Sequence, residues 1–342
     1  MELYFLDGGF KIISVVDDYT CFIRRRRYYD CDQFELHCRP ELFPVLRAAE
    51  YMCASDSVSS VFVVETVVFR EGSLQIKGRS ADCIFERMVI YPTFPISGTG
   101  EEVLHQLVEN YTDIEPGELS GVGTVVERGQ VTGYGLLDYM RMLSTEQQLS
   151  FSVELDDAGQ LVFSVWQGTD RSSGSGVSPV IFSEDYENLI SCEYSYSTKD
   201  YRNVAVVAGQ GTGNRRKWVV VDSSNGGERR MLYVDARDIQ QEDDMSDERY
   251  LELLRRRGRE KLAQYSIVQS FEGEICPESS GAYRTDFDLG DIVTIQSSRL
   301  GLSLDCRITE AEEIFENGAV SVNLSFGEGF LTTISYIERM YG

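Results

Sequence analysis

Histidine is nearly absent: His37 and His105 are the only two in 342 residues. That leaves little scope for a serine–histidine triad or a histidine-rich metal centre, and no G-x-S-x-G elbow occurs. The eight cysteines (Cys21, Cys31, Cys38, Cys53, Cys83, Cys192, Cys276 and Cys306) are scattered, and none are spaced C-x-x-C. A zinc ribbon or thioredoxin-like pair is therefore not expected. The even count permits disulfides, but a chain this long needs no staples, and reduced core thiols are the expectation. His37 adjoins Cys38, yet neighbours in a strand point to opposite faces, so the two do not form a catalytic pair. Positive charge is also scarce, with 32 Lys+Arg against 56 Asp+Glu and a net charge of −24. Such a balance opposes a grip on nucleic-acid phosphates and agrees with simple solubility. No run approaches about 20 consecutive apolar residues, so no membrane insertion is expected. The opening MELYFLDGGFKII lacks the basic, apolar and small-residue parts of a signal peptide.

What is present is globular: 42% hydrophobic and 26% charged residues, enough for two domains or three small ones. The first third reads as β, with short aromatic and β-branched runs at Leu3–Leu6, Lys11–Val16, Tyr19–Ile23 and Phe34–Cys38. Val61–Phe69, a Glu71-Gly72 turn and alternating Leu74, Ile76 and Gly78 predict a hairpin. After Tyr91 the character changes. Thr99 stands three residues before Glu102, a capping box that predicts a helix over about 100–111. A second helix is predicted over about 134–148. Phe151, Val153 and Leu155 then face Leu161, Phe163 and Val165 across Asp156–Gly159 as another hairpin. Thr169–Pro179, small, polar and glycine-rich, is the strongest boundary signal. Beyond it β returns near Ser191–Tyr196, Asn203–Val207, Trp218–Val221 and Met231–Val234. The acidic Glu242-Asp243-Asp244 leads into one long helix at about 246–265. Late strands follow, the last two joined across Asn317-Gly318. The expected class is α+β, predominantly β. Residues 1–93 form one β module, 94–178 a small α/β module and 179–342 a second β module carrying the helix.

Few residues suggest chemistry. Gly209-Gln-Gly211-Thr-Gly213 follows a strand but precedes another strand. A dinucleotide loop needs a helix there, so the glycines read as a connecting loop. Arg24-Arg25-Arg26-Arg27, beside Tyr28, is the most basic run, and reads either as a solvated strand end or as a subunit contact. With 56 acids and abundant aromatics, an acid-pair glycosidase is not excluded by residue type, but nothing singles out a pair. No catalytic, cofactor-binding or metal-ligating residue is assigned, and no cofactor.

Taken in order, RYYDCDQFELHC, LQIKGRSADCIFERMVIYP, SYSTKDYRNVAVVAGQGTG, YRTDFDLGDIVTI and LGLSLDCRITEAEE resemble one family. It is the tail-tip or baseplate hub proteins of long-tailed phages, the structural portion of tail-associated proteins. The resemblance implies a non-enzymatic virion protein, a homotrimer of chains that each carry two tail-tube-like β-barrel or sandwich domains. Three chains would then present six modules to a six-fold tube. The partners it implies are a distal tail or tail tube protein, a tape-measure protein and a tip or receptor-binding protein. DNA would pass through without specific binding, and a lumen carrying carboxylates would repel its phosphates. Arg79 in Gly78-Arg79-Ser80 is then a candidate for a buried or interfacial ion pair. Asn203 and the Gly290-Asp291 turn would be fold or assembly positions. Longer relatives continue into a peptidase, lytic or receptor-binding module, whereas this sequence stops at Gly342, so wall-degrading activity is not expected. The rival readings are an acid-pair glycosidase and a monomeric receptor- or glycan-binding module.

Overall fold

Strand-forming residues dominate both ends of the chain, and the computed structural model pairs them with one another. It describes residues 1–126, 128–241, 245–265, 267–275, 283–299, 301–316 and 318–331. The Glu242-Asp243-Asp244 stretch and Asn317 of the expected Asn-Gly turn lie outside the described residues. The N-terminal strands are β1 (Leu3–Leu6), β2 (Ile12–Val16), β3 (Tyr19–Arg27), β4 (Gln33–Cys38), β5 (Tyr51–Ala54), β6 (Ser57–Arg70) and β7 (Ser73–Ser80), with a short helix α1 (Phe43–Leu46) between β4 and β5. The middle of the chain gives β8 (Phe94–Ile96), α2 (Gly100–Tyr111), β9 (Glu115–Pro116), β10 (Gly129–Val131), α3 (Leu136–Gln147), β11 (Ser150–Leu155) and β12 (Leu161–Trp166). Then come β13 (Ile181–Ser183), β14 (Leu189–Ser197), β15 (Val204–Ala208), β16 (Trp218–Asp222), β17 (Met231–Asp235) and α4 (Asp247–Ala263). The chain closes with β18 (Val268–Ile275), β19 (Ile292–Ser297), β20 (Leu302–Glu316) and β21 (Ala319–Leu331).

Strands make up 44% of the chain and helices 20%, as the α+β, predominantly β reading requires; among the described residues no sheet closes into the barrel that the resemblance allowed. A 13-stranded sheet runs β14-β18-β21-β20-β3-β4-β7-β6-β5-β1-β2, with β19 and β13 attached to β20. The expected first and last β modules are thus one sheet, joined where β3 pairs antiparallel with β20. Alternation sorts each strand. Phe22, Phe34, Leu36, Leu74 and Ile76 bury one face of β3, β4 and β7, and the opposite face is mostly polar, with Ile23 and Cys21 among Arg25, Glu35, His37 and Lys77. In β7 the interior position nearest β6 has to be glycine: a Cβ on Gly78 would stand 2.0 Å from the Val63 carbonyl oxygen and 2.6 Å from the Phe34 ring.

The predicted local elements hold. Thr99 Oγ1 accepts from the Glu102 amide at 3.2 Å and Glu102 Oε2 accepts from the Thr99 amide at 2.7 Å, closing the box at the start of α2. Leu104, Leu107, Val108, Leu137, Met140 and Leu143 bury the facing sides of α2 and α3 in one core with Phe85, Phe151 and Phe163. The β11–β12 hairpin pairs Phe151 with Val165 and Leu155 with Leu161, and Asp156 caps its turn by accepting from the Ala158 and Gln160 amides. Cys21, Cys31, Cys38, Cys53, Cys83 and Cys306 are free thiols; burial pushes those of Cys38 and Cys53 up to about 11, so they stay protonated.

The boundary falls elsewhere than the glycine-rich linker. Residues 1–193 with the chain from Phe271 onward form one unit and Tyr194–Ser270 another. The linker is hydrogen-bonded along β19: the Arg171 amide donates to Ile292, the Ser173 amide to Thr294 Oγ1, and Ile292 donates back to Thr169. Composition signalled flexibility, and backbone pairing removes it. In the second unit α4 covers one face of the β16-β15-β17 sheet through Tyr250, Leu254 and Gly258. Gly78→Ala is expected to lower stability by about 1–3 kcal/mol or more, because the intruding methyl meets backbone; a urea midpoint equal to wild type would refute the crowding.

Candidate functional site

The four arginines of β3 alternate across the sheet, as consecutive strand residues must. Register sets Arg24 opposite Glu313, Arg25 opposite Glu312, Arg26 opposite Ala311 and Arg27 opposite Glu310. Arg24 is 3% exposed and Glu313 4%, and they pair directly inside the sheet's core face. Arg24 also binds Asp56 in bidentate fashion at 2.9 and 2.6 Å. Arg284 closes the cluster, reaching Glu313 at 3.0 Å and Asp56 at 3.3 Å. Arg26, on the same face, binds Asp288 at 2.6 Å and the Tyr283 hydroxyl at 2.9 Å. On the open face Arg25 meets Glu312 at 2.6 Å and Arg27 meets Glu310 at 2.8 Å. The run therefore stitches the N-terminal strands to the C-terminal ones with both sides of one strand.

Tyr28 extends the seam. Its hydroxyl donates to the Gln148 carbonyl at 2.9 Å and accepts from the Gly168 amide at 3.2 Å. Its ring lies edge-on to Trp166 at 5.1 Å, with the Arg307 guanidinium 4.9 Å from the centroid. Arg307 donates to the Gly290 carbonyl and, at 3.1 Å, to the Gln148 side chain. Gly290 adopts φ +86°, and a Cβ there would stand 2.3 Å from the Tyr28 ring. Only glycine fits. Asp291 then accepts from the Thr169 amide at 2.7 Å and pairs with Arg171 at 2.9 Å, tying down the linker.

Beside the seam a cavity of about 240 Å³ is lined by Arg26, Arg27, Asp30, Asp32, Asp82 and Asp288 among others. Burial pushes the Asp32 carboxyl up to about 7, although Arg26 and the Arg27 amide, donating at 2.7 Å, oppose the shift. Burial raises Asp82 as well. Among the described residues no group of three or more His, Cys, Asp or Glu could hold a metal ion. Charge here holds strands together.

The other expected positions are placed separately. Arg79, on β7, forks between Glu65 at 2.7 Å and Glu86 at 2.6 Å, an intrachain ion pair on the open face of the large sheet. Asn203 lies in the second unit, where its side chain donates to the Glu228 carbonyl and accepts from the Arg230 amide, both at 2.8 Å. Sequence reasoning missed the partners: Asp56, Asp288, Arg284, Arg307, and Glu310, Glu312 and Glu313. The Glu-Ala-Glu-Glu run at 310–313 was a legible signal, a carboxylate strip matching four arginines in length.

A model of the family described as Siphovirus ReqiPepy6 Gp37-like protein matches residues 1–328. No curated protein matches the chain. Three solved structures share its fold. A tail protein from Neisseria meningitidis MC58 superposes with TM-score 0.60 at 11% identity, over 95% of this chain and 96% of that one. The 43 kDa tail protein of prophage MuSo2 from Shewanella oneidensis gives 0.57 at 13%, over 95% and 98%. The prophage tail protein gp18 from Listeria monocytogenes EGD-e gives 0.53 at 13%, over 100% and 98%.

Two outcomes follow from the seam. Glu313→Ala, which removes the buried carboxylate shared by Arg24 and Arg284 and leaves them only Asp56, is expected to destabilise by about 3–5 kcal/mol. Glu312→Ala, at the partly exposed pair, is expected to cost under about 1 kcal/mol; equal losses in denaturant melts would contradict the division into buried and open pairs. Asp32 holds a proton that the unfolded chain, with an ordinary aspartate pKa of about 3.9, releases. Its contribution is therefore full below about pH 4 and is lost as pH rises to about 7. Asp32→Asn is expected to gain stability over wild type between pH 4 and 8, and parallel stability–pH curves would rule this out.

Proposed function

Because this chain belongs to the Siphovirus ReqiPepy6 Gp37-like family of siphophage tail proteins, we propose that it is the hub joining the tail tube to the tail tip. It is a phage tail, baseplate-like structural protein and a virion component, and its homologues are structural tail proteins. Among the described residues no helix is long and apolar enough to cross a membrane. The proposed hub is a homotrimer. β1–β7 supply one of its tube-like sets of strands, β13, β14 and β18–β21 the other, and residues 94–178 the insert between them. It has no catalytic role. Its partners are a distal tail or tail tube protein, a tape-measure protein and a tip or receptor-binding protein, and DNA crosses it.

The observation that carries this reading is the single large sheet. The N-terminal strands β1–β7 supply seven of its strands and β13, β14 and β18–β21 supply six, so two sets of similar size lie edge to edge. Three such chains give six sets, the number a six-fold tube requires. The sheet path stops at β2 and β14. Ile12 and Val15 on β2 are 53% and 48% exposed, and Ile190 on β14 is 60% exposed. Long edges bearing apolar side chains invite pairing, and in a closed ring the β2 edge of one copy meets the β14 edge of the next.

Quantitative mass spectrometry of purified particles tests the ring. Three copies of this chain per tail are expected, against six tube subunits per tube layer. A Val15→Lys variant is expected to assemble less than wild type, while its thermal melt stays near wild type. One copy per tail, or six, would overturn the threefold hub.

A further inference from the structure

In the second unit one face of the sheet is bare. Alternation along β16, β15 and β17 sends Ala205, Val207, Val219 and Val234 towards α4. On the opposite face register sets Val206 between Val220 and Tyr233, with Trp218 and Met231 in the neighbouring rows. Trp218, Val220, Met231 and Tyr233 are all 50–55% exposed. Four large apolar side chains held together in the open on one sheet face mark an interaction surface. Its chemistry is already ordered. The Arg216 guanidinium lies over the Trp218 ring at 5.3 Å and donates to the Tyr233 hydroxyl and the Ala208 carbonyl, both at 3.0 Å. Trp, Tyr, Met and Arg are also the residue types that interfaces favour.

Charge identifies the occupant. Residues 194–270 hold 14 of the chain's 32 Lys+Arg but only 12 of its 56 Asp+Glu, so this unit carries +2 while the remaining chain carries −26. At one corner of the bare face Asp235 is shared by Arg216 at 2.7 Å and Arg237 at 2.6 Å, which leaves a positive charge over. Copies of net charge −24 repel one another, and setting the +2 unit against a neighbour's −26 unit removes part of that repulsion. Three strands about 4.8 Å apart and five residues of about 3.3 Å give a face of about 14 by 17 Å, well below the ~800 Å² per partner of a stable interface. Such a face reinforces an assembly that is also held elsewhere. We infer that the bare β16-β15-β17 face docks on the acidic unit of a second copy of this chain. The inference rests on the hub reading and deepens it, naming a copy-to-copy contact outside the large sheet. The two surfaces differ, so the contact is heterologous and suits a closed ring.

Cross-linking in purified particles tests it. Val220→Cys is coupled to a short maleimide–diazirine linker and photolysed, and the parent chain is treated alike as the background. The expected product has at least twice the mass of the chain, contains this chain alone, and joins Cys-bearing peptides to peptides from residues 1–193 or 271–342. Linkage to a different protein, or a product with no gain in mass, overturns the inference; the hub still stands if the particles hold three copies per tail. One copy per tail, or six, overturns both. In the second measurement Arg237→Glu is added to Val220→Cys. The cross-linked yield per copy is expected to fall severalfold at low salt, and the two yields to converge in ~0.5 M salt, where exposed charges are screened within a few ångströms. Equal yields at low salt would overturn the selection of an acidic second copy by charge.

Discussion

An arginine buried on one strand, facing a glutamate buried on another almost 300 residues away, is the constraint around which the large sheet is organised. Arg24 and Glu313 are separated by 289 positions in sequence, yet share one rung of the β3–β20 ladder. Neither charge is tolerable alone at that depth, so the pairing is self-enforcing: any other register would strand one of them. Asp56 and Arg284 extend the pair into a four-member cluster, each member bonded to two others, which offsets the desolvation that a lone buried pair suffers. A hydrophobic rung would hold the strands equally well but would not fix the register so tightly.

The same strand serves two surfaces with one residue type. Because side chains alternate, Arg24 and Arg26 turn inward to lock the fold while Arg25 and Arg27 turn outward to neutralise Glu312 and Glu310. Just beyond the strand, Tyr28 passes the constraint to the middle of the chain. Its ring and hydroxyl meet Trp166, Gln148 and Gly168, and Gly290 and Arg307 press on it from the C-terminal side. Segments remote in sequence are thereby held at fixed spacing.

Local features were legible wherever the physics is local. The Thr99–Glu102 box, the Asp156 turn, the helical spacing behind Ser246 and the alternation in β7 each depend on residues a few positions apart, and each formed where the pattern put it. The glycine-rich Thr169–Pro179 segment shows the limit. Its composition reads as a free linker, but backbone groups pair wherever a strand edge is offered, and β19 offers one. The arginine run shows the same limit at the candidate site. Four like charges on a strand were plain, and so was the Glu-Ala-Glu-Glu strip, but nothing local connects them.

The sequence by itself determined the strand and helix inventory, the predominance of β structure and, through ordered motifs, the family. Those properties follow from side-chain periodicity, turn chemistry and composition, which act over a few residues. Only the tertiary structure decided that the two β ends fuse into one sheet, and that Asp56, Asp288 and Arg284 complete the charge seam. These depend on which distant strands share a register, and a register is set by the simultaneous fit of a whole face, including where a buried cation can find its carboxylate.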